Sequence, residues 1–278
     1  MRDVFNRRCR AAAGLAFLAL AGPVSAQQPR PDLTGMWSDP PSTLVDTFCL
    51  FWCSDAGLGR LNALLDDPAN DKRPTIELLG EAARFQRDEY VRPRLTAAGL
   101  ENTGLDPADD PSFLECVPWP FAREIFAPHQ LQIEQLGDRV EMQYGEWATK
   151  RTIHLDGRAP PAGRAPGPMG YSVGHYDGDA LVIETSGIPA NLAPWGAGFP
   201  IPLLPFDGRH SDHLRVSECY TRSAEGDRLL LSATLEDLWA LREPLVLKKV
   251  WGWAPDQVIS PYDQCEKPTE FTRGAEPK

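Results

Sequence analysis

The chain has 278 residues, 42% hydrophobic and 24% charged, with 27 prolines and 23 glycines. Those proportions exclude a disordered or collagen-like chain and fit a globular protein. The formal charge is −11, and repulsion at that charge argues against a nucleic-acid partner.

The N-terminus reads as a secretory signal over residues 1–26. Arg2, Arg7, Arg8 and Arg10 form a basic region, an apolar run extends from Ala11 to Ala21, and Val24-Ser25-Ala26 supplies small residues before Gln27. The apolar run is shorter than the roughly 20 residues that a membrane helix needs. The expected product is cleaved near Ala26, periplasmic or secreted, with no stable membrane insertion. Cleavage removes four arginines and one aspartate, leaving the mature chain more acidic still. It also removes Cys9, leaving Cys49, Cys53, Cys116, Cys219 and Cys265. An oxidising compartment permits disulfides, and an odd number leaves at least one thiol over. Cys49 and Cys53 lie one helical turn apart, within bridging reach. Neither a C-x-x-C redox pair nor a second closely spaced pair for zinc is present.

Past the mature start, Gly35–Ser38 reads as a strand entry and residues 40–56 as irregular. Leucines at helical spacing predict a helix over about 58–66, with a stronger one over about 75–92 that starts after Pro74. Together they form an insertion at about 57–100 that could cap one end of the domain. Residues 100–120 read as an acidic, proline-rich connection. From Pro128 onward the period changes from 3.6 to 2. Leu131, Ile133 and Gln135 alternate, Gly137-Asp138 turns the chain, and Val140, Met142 and Tyr144 alternate back as a hairpin. Further strands are predicted at 147–155, 171–176, 180–185, 213–221, 228–236 and 244–253. Long loops at 158–170 and 186–210 separate some of them, and a polar tail covers 266–278. Eight or nine sequential, mostly antiparallel strands over 27–265 make one mainly-β domain, a barrel or a sandwich around a cavity.

Asp32-Leu33-Thr34-Gly35-Met36-Trp37 resembles the Gly-x-Trp opening strand of lipocalin-like (calycin) barrels. Arg151–Arg158, Gly174–Thr185 and His210–Leu214 resemble segments of an uncharacterised family of exported bacterial proteins. The resemblance covers roughly residues 128–253 plus the opening strand. It implies an antiparallel up-and-down barrel and no particular reaction. The chain departs from that family at Tyr176-Asp177, which replace tryptophan-glutamate, and at Cys219, which replaces an arginine after Glu218.

Strand alternation then selects candidate site residues. Glu218 shares a face with Leu214, Val216 and Tyr220, so it is a carboxylate on an apolar face; Glu146 shares parity with Tyr144; Arg151 aligns with Ile153 and Leu155. A buried carboxylate needs a partner. Glu218 is therefore either ion-paired with Arg151 or an acid/base group in a cavity, its pKa raised by desolvation. His175, before a tight turn, is a second proton-transfer candidate or a hydrogen-bonded turn histidine. Glu184 has the opposite parity to Leu181 and Ile183 and is expected to face solvent. Gly170-Tyr171-Ser172-Val173-Gly174 matches G-x-S-x-G, but no helix follows Ser172 as a nucleophile elbow requires. His210, Asp212 and His213 concentrate potential metal ligands, although neighbouring strand residues point to opposite faces. Trp195, in the second long loop, and Trp251 offer aromatic walls for a ligand.

Three functions compete. One is a cofactor-independent lyase, isomerase or hydratase acting on a small hydrophobic or aromatic molecule. In it Glu218 and His175 transfer protons, Arg151 orients an oxygen, and Glu146, Tyr144, Trp195 and Trp251 bind. The second is a non-catalytic carrier with the same cavity, and the third a serine hydrolase using Ser172. No nucleotide-binding motif implies a cofactor, and the oligomeric state stays open.

Overall fold

The computed structural model describes residues 30–39, 43–101, 115–145, 147, 149–160, 167–190, 209–259 and 265. The expected signal segment, Glu146, Trp195 and the C-terminal tail lie outside the described residues.

Nine strands close into one barrel in the order β1 to β9. They are β1 (Gly35–Ser38), β2 (Leu131–Gln135), β3 (Arg139–Tyr144), β4 (Lys150–His154), β5 (Tyr171–Asp177), β6 (Ala180–Ser186), β7 (Arg215–Arg222), β8 (Arg228–Glu236) and β9 (Leu245–Trp253). All nine predicted strands are present, and the lipocalin-like barrel expected for the fold is what forms.

One pairing differs from the antiparallel expectation, for a geometric reason. Strand directions cannot alternate all the way round a ring with an odd number of members, so at least one neighbouring pair must run parallel. That pair is β4–β5, joined at only two positions, Ile153 to Ser172 and His154 to Val173. The connection across it is the long loop after Leu155, since parallel neighbours cannot be joined by a tight turn. Gly174 sits beside this seam, where a Cβ would come within 2.7 Å of the Ile153 side chain. Every other neighbouring pair is antiparallel, and β8–β9 is paired from Arg228–Gly252 to Leu235–Leu245.

The barrel closes where β1 pairs with β9, Trp37 opposite Trp253. Gly35 has φ +134°, and a Cβ there would fall 2.2 Å from the Trp253 ring, so no larger residue fits without strain. The Arg222 guanidinium lies over both rings, 5.1 Å from Trp37 and 4.7 Å from Trp253, while the Trp37 indole donates to the Leu33 carbonyl at 2.9 Å. The Gly-x-Trp opening therefore packs at the β1–β9 closure.

Among the described residues, four α-helices lie between β1 and residue 101: α1 (Leu44–Phe48), α2 (Asp55–Leu65), α3 (Thr75–Phe85) and α4 (Ala97–Glu101). Thr43 and Asp46 form a reciprocal capping box on α1, and Ser54 caps α2. The stripe predicted to reach Arg92 is α-helical to Phe85 and continues as a π-helical turn to Val91. That turn places the Gln86 amide oxygen on the Ser54 hydroxyl and backbone N–H.

The insertion meets the barrel in two ways. Val91 and Leu95 join the core lined by Leu245 and Leu247, with Leu95 bridged to Leu241 in the β8–β9 turn. On the outer wall, Leu61, Leu64, Leu78, Leu79 and Ala82 bury Leu230 of β8 and Val250 of β9. Those two residues point away from the lumen, so β9 is buried on both faces through most of its length. Cys49 and Cys53 pair, as their spacing allows, and Cys116 pairs with Cys265. What enters the lumen is α5 (Phe121–Phe126), buried at every position and unforeseen in the sequence reading. Six residues after Pro120 are too few for the 3.6 period to declare itself.

Candidate functional site

The inward faces of the strands build a mainly apolar lumen: Leu131, Ile133, Met142, Ile153, Leu181, Ile183, Val216, Leu231, Leu235 and Leu247 among others. Two charged clusters interrupt it.

The first centres on Arg151 and Glu218, whose side chains are 1% and 0% exposed. All three guanidinium nitrogens are engaged. Nε donates to Ser172 Oγ (2.9 Å), Nη1 to Tyr144 Oη (3.4 Å) and Glu218 Oε1 (3.0 Å), and Nη2 to Thr185 Oγ1 (2.6 Å) and Glu218 Oε2. Five bonds use the five N–H groups that an arginine carries. Tyr220 Oη donates to Glu218 Oε1 at 2.9 Å, and Ser172 and Thr185 share a hydrogen bond at 3.0 Å. The Phe121 ring of α5 covers the guanidinium, 4.8 Å from its Cζ. Burial works against the Arg151 charge, but the Glu218 carboxylate outweighs it and holds the guanidinium above its ordinary pKa. Burial pushes the Tyr144 phenol up to about 12, and that of Tyr220 well above its usual value. These groups hold their protons at neutral pH and form a charge-assisted, fully bonded network.

Alternation of the strands thus brings Glu218, Arg151 and Tyr144 together, and adds Ser172, Thr185 and Tyr220. It does not bring His175 to them. His175 is exposed, with Ser172 and Gly174 of the opposite parity turned inward, so the barrel wall separates it from Glu218. The sequence is ambiguous here, because both faces of β5 mix polar and small residues. Glu184 faces solvent as expected, accepting from Ser217 Oγ at 2.7 Å.

Ser172 accepts from Arg151 and bonds Thr185, so a cation, not a base, faces its oxygen. That arrangement opposes activation as a nucleophile. The expected His210–His213 cluster is dispersed. His210 is buried with Nδ1 on the Ser211 carbonyl at 2.9 Å, whereas Asp212 and His213 are exposed and 3.7 Å apart. Among the described residues no group of three or more His, Cys, Asp or Glu is arranged to hold a metal ion.

The second cluster surrounds Lys249 of β9. Lys249 is 0% exposed. Its Nζ donates to the Ala127 carbonyl and lies 4.3 Å from the Trp251 ring centre. Among the described residues it has no ion-pair partner; Glu124 of α5 and Asp39 act on it only from a distance. Burial holds its ammonium well below the ordinary lysine pKa, against the opposing pull of those two carboxylates. His129 is close enough to feel it. Burial, then the charges of Lys249 and Arg123, push the imidazole down to about 4. Trp119 lies 5.3 Å from that ring, and Arg123 is stacked on Trp119 at 4.1 Å. Trp251 points into this cluster, its indole donating to the His129 carbonyl at 3.1 Å.

Neither Lys249 nor His129 was a sequence candidate. The alternation Leu245, Leu247, Lys249, Trp251 carried the signal, since it puts one lysine on the apolar face. A scan against protein-family models and a search of curated proteins both found no match for this chain.

Proposed function

We propose that this chain is an exported, non-catalytic carrier of a small hydrophobic or aromatic molecule, bound within its lipocalin-like barrel. The observation that carries this reading is the saturation of the Arg151–Glu218 network. An acid/base group must be within reach of substrate and free to exchange a proton. Both Glu218 oxygens are committed to Arg151 and Tyr220 under the Phe121 ring, and His175 lies outside the wall. The lining that remains is aliphatic and aromatic, as small-molecule sites usually are. Two features support export. The Cys49–Cys53 and Cys116–Cys265 disulfides suit an oxidising compartment, and no helix among the described residues is long and apolar enough to cross a membrane.

The test is native mass spectrometry of the purified protein, followed by titration with cinnamyl alcohol monitored by tryptophan fluorescence. The double variant Arg151→Met/Glu218→Leu is expected to bind the probe within about twofold of the parent, because the pair is not the contact surface. Catalytic turnover of any co-purified molecule that disappears in this variant while folding persists would restore the lyase or isomerase reading.

A further inference from the structure

We propose that Lys249 is a carbonyl-binding amine that holds an apolar aldehyde or ketone inside the barrel as a reversible imine. This inference rests on the carrier reading and names the chemistry of its ligand. An ammonium has three donors, yet Lys249 makes one hydrogen bond, to the Ala127 carbonyl, and one contact with the Trp251 ring. It sits on the inward face of β9 between Leu247 and Trp251, with Tyr220 stacked against Trp251 at 6.4 Å. A cation in such surroundings is costly, and the cost falls when the nitrogen is neutral. Arg151, equally buried, has its charge matched at every donor. Among the described residues Lys249 is the fully buried amine with donors left unmet, and desolvation favours its neutral, nucleophilic form, as it does in imine-forming lysines.

The surroundings suit the product as well as the reactant. The neutral nitrogen adds to the carbonyl carbon, forming a C–N bond. Loss of water then removes the carbonyl oxygen with the two nitrogen protons and leaves C=N, with no oxidant or reductant required. The imine is neutral, so its formation leaves no charge among the apolar side chains and keeps the nitrogen against the Trp251 face; one proton taken from solvent converts it to the iminium that cyanoborohydride reduces. His129 and Arg123 are the other titratable groups at this end, and the imidazole is neutral above about pH 4. The segment between α5 and β2 supplies the amine's acceptor, Ala127, and in it Pro128, His129 and Gln130 are each partly exposed.

The chain has six lysines, and Lys72 and Lys150 are exposed internal controls. The purified protein is incubated at pH 7 with trans-cinnamaldehyde and sodium cyanoborohydride, with cinnamyl alcohol as the non-reactive analogue. Intact mass and peptide mapping follow. The expected result is one reduced adduct on Lys249, formed roughly tenfold or more faster than on Lys72 or Lys150, and its loss in Lys249→Met. Adducts on Lys72 and Lys150 but not on Lys249 overturn the proposal. So does alcohol binding with no adduct, which leaves the carrier reading standing. No binding of either probe and no adduct overturns both. An adduct on Lys249 without alcohol binding keeps the amine and removes the non-covalent carrier. Mapping on the parent protein makes the outcome independent of whether the variant folds.

Discussion

The inward faces of the barrel strands bury Arg151 and Lys249, and the protein treats them in opposite ways. Arg151 spends every N–H on an acceptor and faces a carboxylate bidentately; Lys249 has one carbonyl, one indole face and, among the described residues, no ion pair. The first arrangement is a fastening. Its members come from β3 (Tyr144), β4 (Arg151), β5 (Ser172), β6 (Thr185) and β7 (Glu218 and Tyr220), so it spans the β4–β5 seam that backbone pairing joins at only two positions. Side-chain bonds from Arg151 to Ser172 and Thr185 supply there what the ladder lacks. The second arrangement is a cation left unmatched, which stability alone does not select. Burial is common to both, and partner count separates a fastener from a reactive group.

The largest expected effect breaks the fastener. Glu218→Gln leaves the Arg151 charge buried without its counter-ion and is expected to cost about 3–5 kcal/mol, measured by urea denaturation. Arg151→Met/Glu218→Leu removes both charges and should recover most of that loss. A double variant as unstable as Glu218→Gln would show that the network matters through its shape and not its charge balance.

The next effect has the opposite sign. Lys249→Met removes an unmatched cation and fills the same volume, so it is expected to stabilise by about 1–3 kcal/mol at pH 7. The parent's stability should also rise with pH towards 10.5, because in that window the unfolded lysine holds a proton that the folded one has lost. Lys249→Met should lose that slope. Comparing parent and variant cancels the contributions of Tyr144 and Tyr220, whose raised pKa values act in the alkaline range. A destabilised variant with an unchanged slope would place Lys249 among the fasteners.

His129 gives a smaller, acid-side signature. Its folded pKa is near 4 against 6.5 for the free side chain, so the unfolded chain takes up the proton first as pH falls. Stability is expected to drop between pH 6.5 and about 4 by about 2 kcal/mol, allowing for partial exposure. His129→Gln should flatten that part of the profile. Ser172→Ala is the mildest change, expected to cost about 1–2 kcal/mol by leaving one Arg151 donor unmet. It should leave cinnamyl alcohol binding unaltered, whereas loss of an esterase activity in this variant would revive Ser172 as a nucleophile.

The sequence by itself determined the strands and one of the two charged clusters. Period-2 alternation sets which face of a strand is apolar. On β7 that face was clean enough to mark Glu218 as inward and to demand a cation, for which Arg151 was in register. Where a face is mixed, as on β5, parity did not say which side was inward, and His175 stayed a candidate although it lies outside. Only the tertiary structure decided three things. An odd ring forces one parallel seam, a property of closure that no single strand carries. Outward Leu230 and Val250 draw the α2–α3 pair to the barrel wall, because two strands must lie side by side to make an apolar patch. Lys249 becomes a buried amine because α5 and the Ala127–Gln130 segment cover it, and desolvation depends on neighbours distant in sequence rather than on the residue or its period.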